Sequence, residues 1–458
     1  MSARLGAQCT TLRRIWFELL LVQGAAVAED GRMTTAPNPP SSCPYSAGGG
    51  RSERAWSRIL PGGGAPKDAP TYEPDLYSRD AILNPYSHYS AMRKLGGVVW
   101  LPKQRLYALP RYAEVKSVLE DDDTFRSRNG VALNPISRFI GKGSFLMQDG
   151  VSHNRRRKLT THRLTPRALR PMHPQIDALA EKTVLAALSR GEVEGVHDIA
   201  VKLPLTLVPD LVGWPEQGRE HLVKWAGATF DMLGPFNKQA LRSIPSSTSM
   251  MSFVRGVARR RDILPGSVAD EVVQAIDTGE IDASELPSVL IDYLGPSIDT
   301  TASAIAAALF LFADNPEQWQ KLRDDPSKVP GAVDEVVRFE SPVRAFGRRT
   351  ERDTEIAGTR VAAGSRLLVM YASANRDERQ WSNPDRFDID RTEVGHVGFG
   401  FGLHGCAGQG LARLETQAVL RSLLKHVERI ELTDTPTRAV NNIIHRFETL
   451  PIRLIPAT

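Results

Sequence analysis

One loop near the C-terminal end constrains this chain more than any other stretch: Phe399-Gly400-Phe401-Gly402-Leu403-His404-Gly405-Cys406-Ala407-Gly408. A cysteine sits in a glycine-rich turn, behind an aromatic and a basic residue, and a helical pattern follows at once. Glycines let backbone amides approach a sulfur atom and point at it. Those amides, with the N-terminus of the following helix, stabilise a negative sulfur. Such a loop suits a thiolate that serves as axial ligand to a haem iron, with His404 placed to meet a haem propionate. Thiolate ligation pushes electron density onto iron and favours O–O cleavage. Read alone, Cys406 is a buried free cysteine beside a flexible turn. The whole run in register, and two further motifs, favour the ligand.

Composition narrows the rest. The chain has 458 residues, 41% hydrophobic and 24% charged, enough for a sizeable core. Its net charge of +5 comes without a basic stripe interleaved with aromatics, so no nucleic acid partner is expected. Cys9 and Cys43 lie in the N-terminal stretch, so no disulfide framework is indicated. Cys406 is left to a metal, which fits a reducing, cytoplasmic setting. Arg13 and Arg14 before Ile15–Val22, with Ala26-Val27-Ala28 after, mimic a signal peptide. Glu18 and Gln23 interrupt that run, which is too short to span a bilayer, so no membrane is expected. Met33 offers a second start, which would leave residues 1–32 untranslated. Residues 34–70 are rich in Pro, Gly and Ser and read as disordered. The expectation is a tail over 1–70 and one large domain over 71–458.

Along that domain, Pro85–Leu95 and Tyr112–Leu119 carry helical periodicity, and Val98–Trp100 pairs with Leu106–Leu109 across Lys103-Gln104. Residues 122–148 read as a long loop of the kind that is often functional. Helical patterns dominate to about residue 345, broken at 213–218, 234–236 and 265–266. Glu355–Val369 alternates like strands, Arg376–Arg391 is irregular, a long helix follows Cys406 to Val427, and strands close the chain. No internal repeat appears. The fold class is mainly α with a small β portion.

Two more motifs accompany the cysteine loop. Glu335-Val336-Val337-Arg338 places an acid and a base three apart on one helix face, where they pair. By itself that is an ordinary surface ion pair. Phe339-Glu340-Ser341-Pro342-Val343 follows it, and Asn383-Pro384-Asp385-Arg386-Phe387 comes later. Ile298-Asp299-Thr300-Thr301 sits inside the longest helix, about residues 284–314. Together with the cysteine loop, these resemble the motifs of the cytochrome P450 superfamily over roughly residues 72–458.

The resemblance implies a cytochrome P450 fold, haem b with Cys406 as iron ligand, and monooxygenation by O2 and two electrons. It sets Phe399 and His404 beside the haem, with His153, Arg157 and Arg348 as further propionate ligands. His153 and Arg157 stand at i and i+4 on a helix opened by Asp149-Gly150-Val151-Ser152. Several cationic donors suit the two carboxylates of a haem. It makes Arg386 the third member of the Glu335–Arg338 cluster, a structural support. It assigns Asp299 to proton supply and Thr300 to holding bound oxygen and its water. An i−4 back-bonding Thr opens a helix locally. The family's small residue and Gly before the acid are Pro296 and Ser297 here, and Pro296 is expected to kink the helix. No flavin or nicotinamide segment is visible, so a separate ferredoxin and ferredoxin reductase, fed by NAD(P)H, are implied. Arg155, Arg156 and Lys158 offer charges to an acidic electron-transfer partner.

For substrate, several stretches look like bacterial members that oxidise para-substituted aromatic carboxylates, among them Phe125–Val131 and Gly234-Pro235-Phe236-Asn237. The implied reaction is hydroxylation or O-demethylation of a small organic, aromatic molecule. The pocket is expected to include Arg128, Asp292 and Gly295. Asp292 lies two turns before Asp299 on nearly the same face. An aspartate there would repel a carboxylate, with Arg128 as rescuer or neutraliser, so a neutral or cationic substrate is expected. The rival readings are a peroxygenase or isomerase on the same scaffold, which has no need of Asp299 and Thr300, and a haem-binding sensor, which usually carries a signalling domain.

Overall fold

The computed structural model describes residue 66, residues 68–140 and residues 144–457. The chain divides into two units, residues 1–61 and 62–458, and everything below concerns the second. Cys9, Cys43 and the signal-like segment lie outside the described residues.

Twelve α-helices of nine residues or more are found among the described residues. They are α1 (Pro85–Leu95), α2 (Tyr112–Glu120), α3 (Gly150–Thr161), α4 (His173–Leu188), α5 (Lys202–Val212), α6 (Leu222–Leu233), α7 (Lys238–Arg260), α8 (Val268–Asp277), α9 (Leu286–Asp314), α10 (Pro316–Asp324), α11 (Val329–Glu340) and α12 (Gln409–His426). The β portion is small, as the sequence indicates. Strands β1 (Val99–Leu101), β2 (Leu106–Leu109) and β3 (Phe125–Arg126) precede β4 (Glu192–Glu194), and β5 (Phe346–Thr350) joins the first three with β8 (Arg366–Val369) in the order β1-β2-β8-β5-β3. β2 and β8 run parallel; the other neighbours are antiparallel. β6 (Thr354–Ile356) and β7 (Thr359–Val361) form a hairpin. β9 (Val427–Leu432) and β12 (Pro451–Pro456) sandwich no helix but pair with each other beside β4, while β10 (Thr437–Arg438) pairs with β11 (Phe447–Thr449).

Helix α9 is the axis of the main core. Leu290, Leu294, Ile298, Ala302, Ile305, Leu309 and Phe312 recur every three or four residues and are all buried in one cluster. Each fully buried Leu on that stripe contributes about 2 kcal/mol. Helices α5, α6, α11 and α12 pack on α9. The stretch Ala283–Asp314 is apolar and long enough to cross a membrane, yet 72% of its apolar window is buried inside this fold. α9 runs unbroken from Leu286 to Asp314 with Pro296 inside it. The proline's missing N–H costs one backbone bond, and packing on several sides holds the helix through it.

The long loop over 122–148 contains β3, a short helix Pro135–Ile140 and a 3-10 turn Phe145–Met147. It is pinned to β5 and to α6, because the Gly347 N–H reaches the Val131 carbonyl at 3.4 Å and the Leu133 N–H reaches the Leu233 carbonyl at 2.8 Å.

Candidate functional site

The cysteine loop is built on two left-handed glycines. Gly400 has φ 68° and Gly402 φ 66°. At Gly402 a Cβ would also lie 2.2 Å from the Leu119 carbonyl oxygen, so α2 leaves room for glycine alone. The loop closes on itself where the Cys406 N–H donates to the Phe399 carbonyl at 2.8 Å. Helix α12 then starts at Gln409, and the Gly408 and Gln409 amides hydrogen-bond the Cys406 sulfur. Burial pushes the Cys406 thiol up. Those two amides, with Arg157 and Arg413, pull the other way. A metal cation is the partner that would complete the sulfur's charge balance. The Phe399 ring is covered by the Arg413 guanidinium at 4.4 Å.

The cationic residues converge on this loop from three elements. Arg157, on α3, donates to the Gly405 carbonyl at 2.7 Å. His153, one turn earlier, stacks on His404 with ring centroids 4.3 Å apart. Arg348, on β5, is 4% exposed, donates to the Gly347 carbonyl, and acts on His404 through its charge. Burial, with the positive charge of His404 and Arg157, lowers His153 to about 4, and burial also lowers His404. Nε2 of His153 and both ring nitrogens of His404 are buried with no hydrogen-bond partner. Asp149, the acid nearest them, lies 3.4 Å from His404 Nε2 without hydrogen-bond alignment, its oxygens taken by the Ser127 and Arg128 N–H groups at 2.9 Å. Buried donors normally have partners. Here two arginines and two imidazoles face one place with almost no anion, which fits a group that carries two carboxylates and an iron. The residues present therefore fit haem.

On α9, Asp299 and Thr300 face different surroundings. Asp299 is 3% exposed, and burial raises its carboxyl well above the usual range. Arg446 opposes that rise, its Nε 3.6 Å from Asp299 Oδ1. Asp299 Oδ2 and Arg446 Nε have no hydrogen-bond partner. The Thr300 hydroxyl donates to the Pro296 carbonyl at 2.5 Å, the expected i−4 back-bond. Pro296, Ser297 and Thr300 are accessible, whereas Ile298 and Asp299 are buried. Arg446 was not legible in sequence, since 147 residues and no motif separate it from Asp299.

Three sequence expectations need correction. Arg386 does not complete the Glu335–Arg338 cluster. Arg338 holds Glu335 with two bonds of 2.7 and 2.8 Å, and the third cation is Arg391, whose Nε lies 3.2 and 3.3 Å from the two Glu335 oxygens. Arg386 gives only its carbonyl to Arg338 and Arg391, and its side chain is 63% exposed. The loop turns Phe387 and Ile389 into the core and leaves Arg386 facing outward, and Arg391 is the cation it brings back to Glu335. Second, Asp292 does not face a pocket. It is 6% exposed, accepts from the Phe145 N–H at 3.2 and 3.3 Å and from Ser144, and feels Arg156 rather than Arg128. It anchors the 3-10 turn of the loop. Gly295 likewise is a packing position, for a Cβ there would stand 3.1 Å from Thr229 on α6. Third, the basic run on α3 is not a free patch. Arg156 is 7% exposed and lies 3.2 Å from Glu285, and Arg155 meets the same carboxylate at 2.9 Å. Of the run, Arg155 and Lys158 are exposed. Arg128 is exposed at the edge of a cavity described below.

The chain is similar in sequence and fold to known proteins. Residues 197–447 match the sequence model of the family described as Cytochrome P450. The chain is 38% identical to cytochrome P450 CYP199A2 of Rhodopseudomonas palustris over 387 residues, 84% of this chain and 94% of that protein. It is 29% identical to a steroid C26-monooxygenase of Rhodococcus jostii, covering 80% of each. Among solved structures, Mycobacterium marinum CYP268A2 in complex with pseudoionone superposes with a TM-score of 0.74 at 28% identity, over 81% of this chain and 94% of that one.

Proposed function

Because the chain belongs to the cytochrome P450 family, an oxidoreductase family that uses haem b and O2, we propose that it hydroxylates or O-demethylates a small aromatic substrate with electrons from a ferredoxin. The observation that carries this reading is the set of unpartnered donors around Cys406. Cys406 would ligate the iron, and His153, Arg157, Arg348 and His404 would hold the propionates, with Phe399 packed beside the loop. Haem, when bound, supplies the redox chemistry that activates O2.

The chain's own residues then handle protons and water. Thr300 donates its hydroxyl hydrogen to the Pro296 carbonyl, so its oxygen lone pairs are left to accept a hydrogen bond on the accessible side. Asp299 presents a free Oδ2 while Arg446 stands at Oδ1. Burial favours the protonated form of this carboxyl, which suits general acid work. Its neighbours Ile298 and Ala302 are buried and apolar, so the carboxyl stands in surroundings that exclude water. A reducing, cytoplasmic setting keeps the Cys406 thiol available. The dithionite-reduced carbon-monoxide spectrum tests the ligand. A substrate library screened by the haem spin shift, then assayed for NAD(P)H-coupled product with ferredoxin and its reductase, tests the reaction. Product from peroxide alone, with none from the ferredoxin system, would replace this reading with a peroxygenase.

A further inference from the structure

Three arginines lie side by side across the five-stranded sheet. Arg126 on β3 is directly opposite Arg349 on β5, and Arg349 is directly opposite Arg366 on β8. Opposed residues share a face and stand about 5 Å apart, so the three guanidiniums form one row. Like charges so placed repel. Arg366 is 6% exposed, donates to the Leu133 carbonyl at 2.5 Å, and leaves its buried Nε without a partner. Arg138, on the short helix Pro135–Ile140, adds a fourth guanidinium, close enough to Arg349 and Arg366 for their charges to act on one another. Among the described residues, no carboxylate lies within ion-pair distance of Arg138, Arg349 or Arg366. Arg126 meets only Asp123, which is 78% exposed.

A cavity of about 580 Å³ opens where Arg126, Arg128 and Arg138 meet Asp149, Gly150 and Ser152. Asp149 is the one acid in its lining, and both of its oxygens already accept backbone N–H groups. The alternation along β5 turns Arg348 to the opposite face from Arg349, so the row points away from the donors around Cys406. One buried guanidinium with an unpartnered Nε, beside three half-buried ones with so little negative charge near them, favours an anion here. We propose that this cavity binds a small oxyanion, phosphate or the carboxylate of an organic acid, held by Arg126 and Arg138 in its wall, with Arg349 and Arg366 adding positive charge behind them. The inference stands apart from the haem assignment, which uses none of these four side chains.

The test is a thermal-melt titration of the haem-loaded protein with sodium phosphate and, separately, sodium benzoate, against sodium chloride at equal ionic strength. Saturable stabilisation beyond chloride is expected from at least one anion. Tighter saturation by phosphate assigns the site to a free anion, and tighter saturation by benzoate to an organic acid. Arg138→Gln and Arg349→Gln, each matched to the parent by Soret absorbance, should both weaken that binding, the first by about tenfold or more because it removes charge-assisted bonds, the second by less because it removes only a charge behind them. Arg126→Gln, at the accessible edge and already shared with Asp123, leaves Arg138, Arg349 and Arg366 in place and should weaken binding less. Arg138→Lys should keep part of the affinity. Stabilisation no greater than that by chloride, or affinity unchanged in both glutamine variants, would overturn the proposal.

Discussion

The Glu335 cluster and the Cys406 pocket are both buried and both rich in arginine, yet they differ in one respect. In the first, every group is matched. Glu335 accepts from Arg338, from Arg391 and from the Asp388 N–H, and Arg338 gives its remaining donors to the carbonyls of Asn375, Pro384 and Arg386. In the second, three imidazole nitrogens lack hydrogen-bond partners, and at the sulfur two amides and two arginines work against burial. Burial and residue type do not separate a structural ionic knot from a ligand site; the state of satisfaction does.

The largest effect should come from removing the one atom that makes the pocket different. Cys406→Ser should abolish the red-shifted Soret band of the reduced carbon-monoxide complex, since serine supplies no soft anionic donor. A variant that keeps the band would mean that Cys406 is not the ligand and that the contrast with the Glu335 cluster has been misread.

The matched cluster should fail differently. Arg338→Met leaves Glu335 buried with half its partners and should cost roughly 3–5 kcal/mol, seen as a lower melting temperature and lower haem retention. Arg391→Ala should cost less, and Arg386→Ala should stay within about 0.5 kcal/mol of the parent. An Arg386→Ala variant as damaged as Arg391→Ala would restore the sequence assignment of the third member.

That pair shows how far the sequence carries. Motifs whose spacing is fixed by one helix or one tight loop were legible: Glu335 with Arg338, His153 with Arg157, and Cys406 in its glycine frame. The α9 stripe and the strand pair around Lys103-Gln104 were legible for the same reason, a period of 3.6 or 2. What could not be read were contacts that depend on how irregular chain folds back. Arg391 rather than Arg386 is set by the turns through 383–391, and Arg446 reaches Asp299 from a hairpin loop 147 residues away. The burial of Arg156 depends on Glu285, just before α9. Asp292 failed by another route: helical phase told which face it lies on, but not that the loop at Ser144–Phe145 occupies that face.

A smaller effect should appear at Asp299, where the two behaviours meet: one oxygen is near Arg446 and the other is free. Thr300→Ala should leave the substrate spin shift intact and lower product per NAD(P)H several-fold, with the balance released as hydrogen peroxide. Asp299→Asn should slow turnover instead. Arg446→Gln removes the cation that holds the Asp299 carboxyl down, so that carboxyl should rise further. The corresponding limb of the turnover–pH profile should move toward higher pH. A profile that does not move would make Arg446 a bystander.

The smallest effect should come from Asp292. Burial raises its carboxyl to about 7, against the Ser144 and Phe145 bonds and the Arg156 charge that lower it. An acid raised on folding stabilises fully below its unfolded value, about 3.9, and that contribution is lost as pH climbs to about 7. Asn keeps an oxygen for the Phe145 N–H and has no charge to desolvate. Asp292→Asn should therefore stand no higher than the parent near pH 4, gain on it as pH rises to about 7 and keep that gain at pH 9, with weaker acceptor bonds lowering the variant equally at every pH. Melting curves across that range measure it. Because the carboxylate is bound to the loop and not turned to a ligand, the ratio of spin-shift affinities for a para-substituted benzoate and its amide should not change. A variant that gains benzoate affinity more than amide affinity would return Asp292 to the substrate pocket, and with it the preference for neutral substrates that the sequence alone suggests.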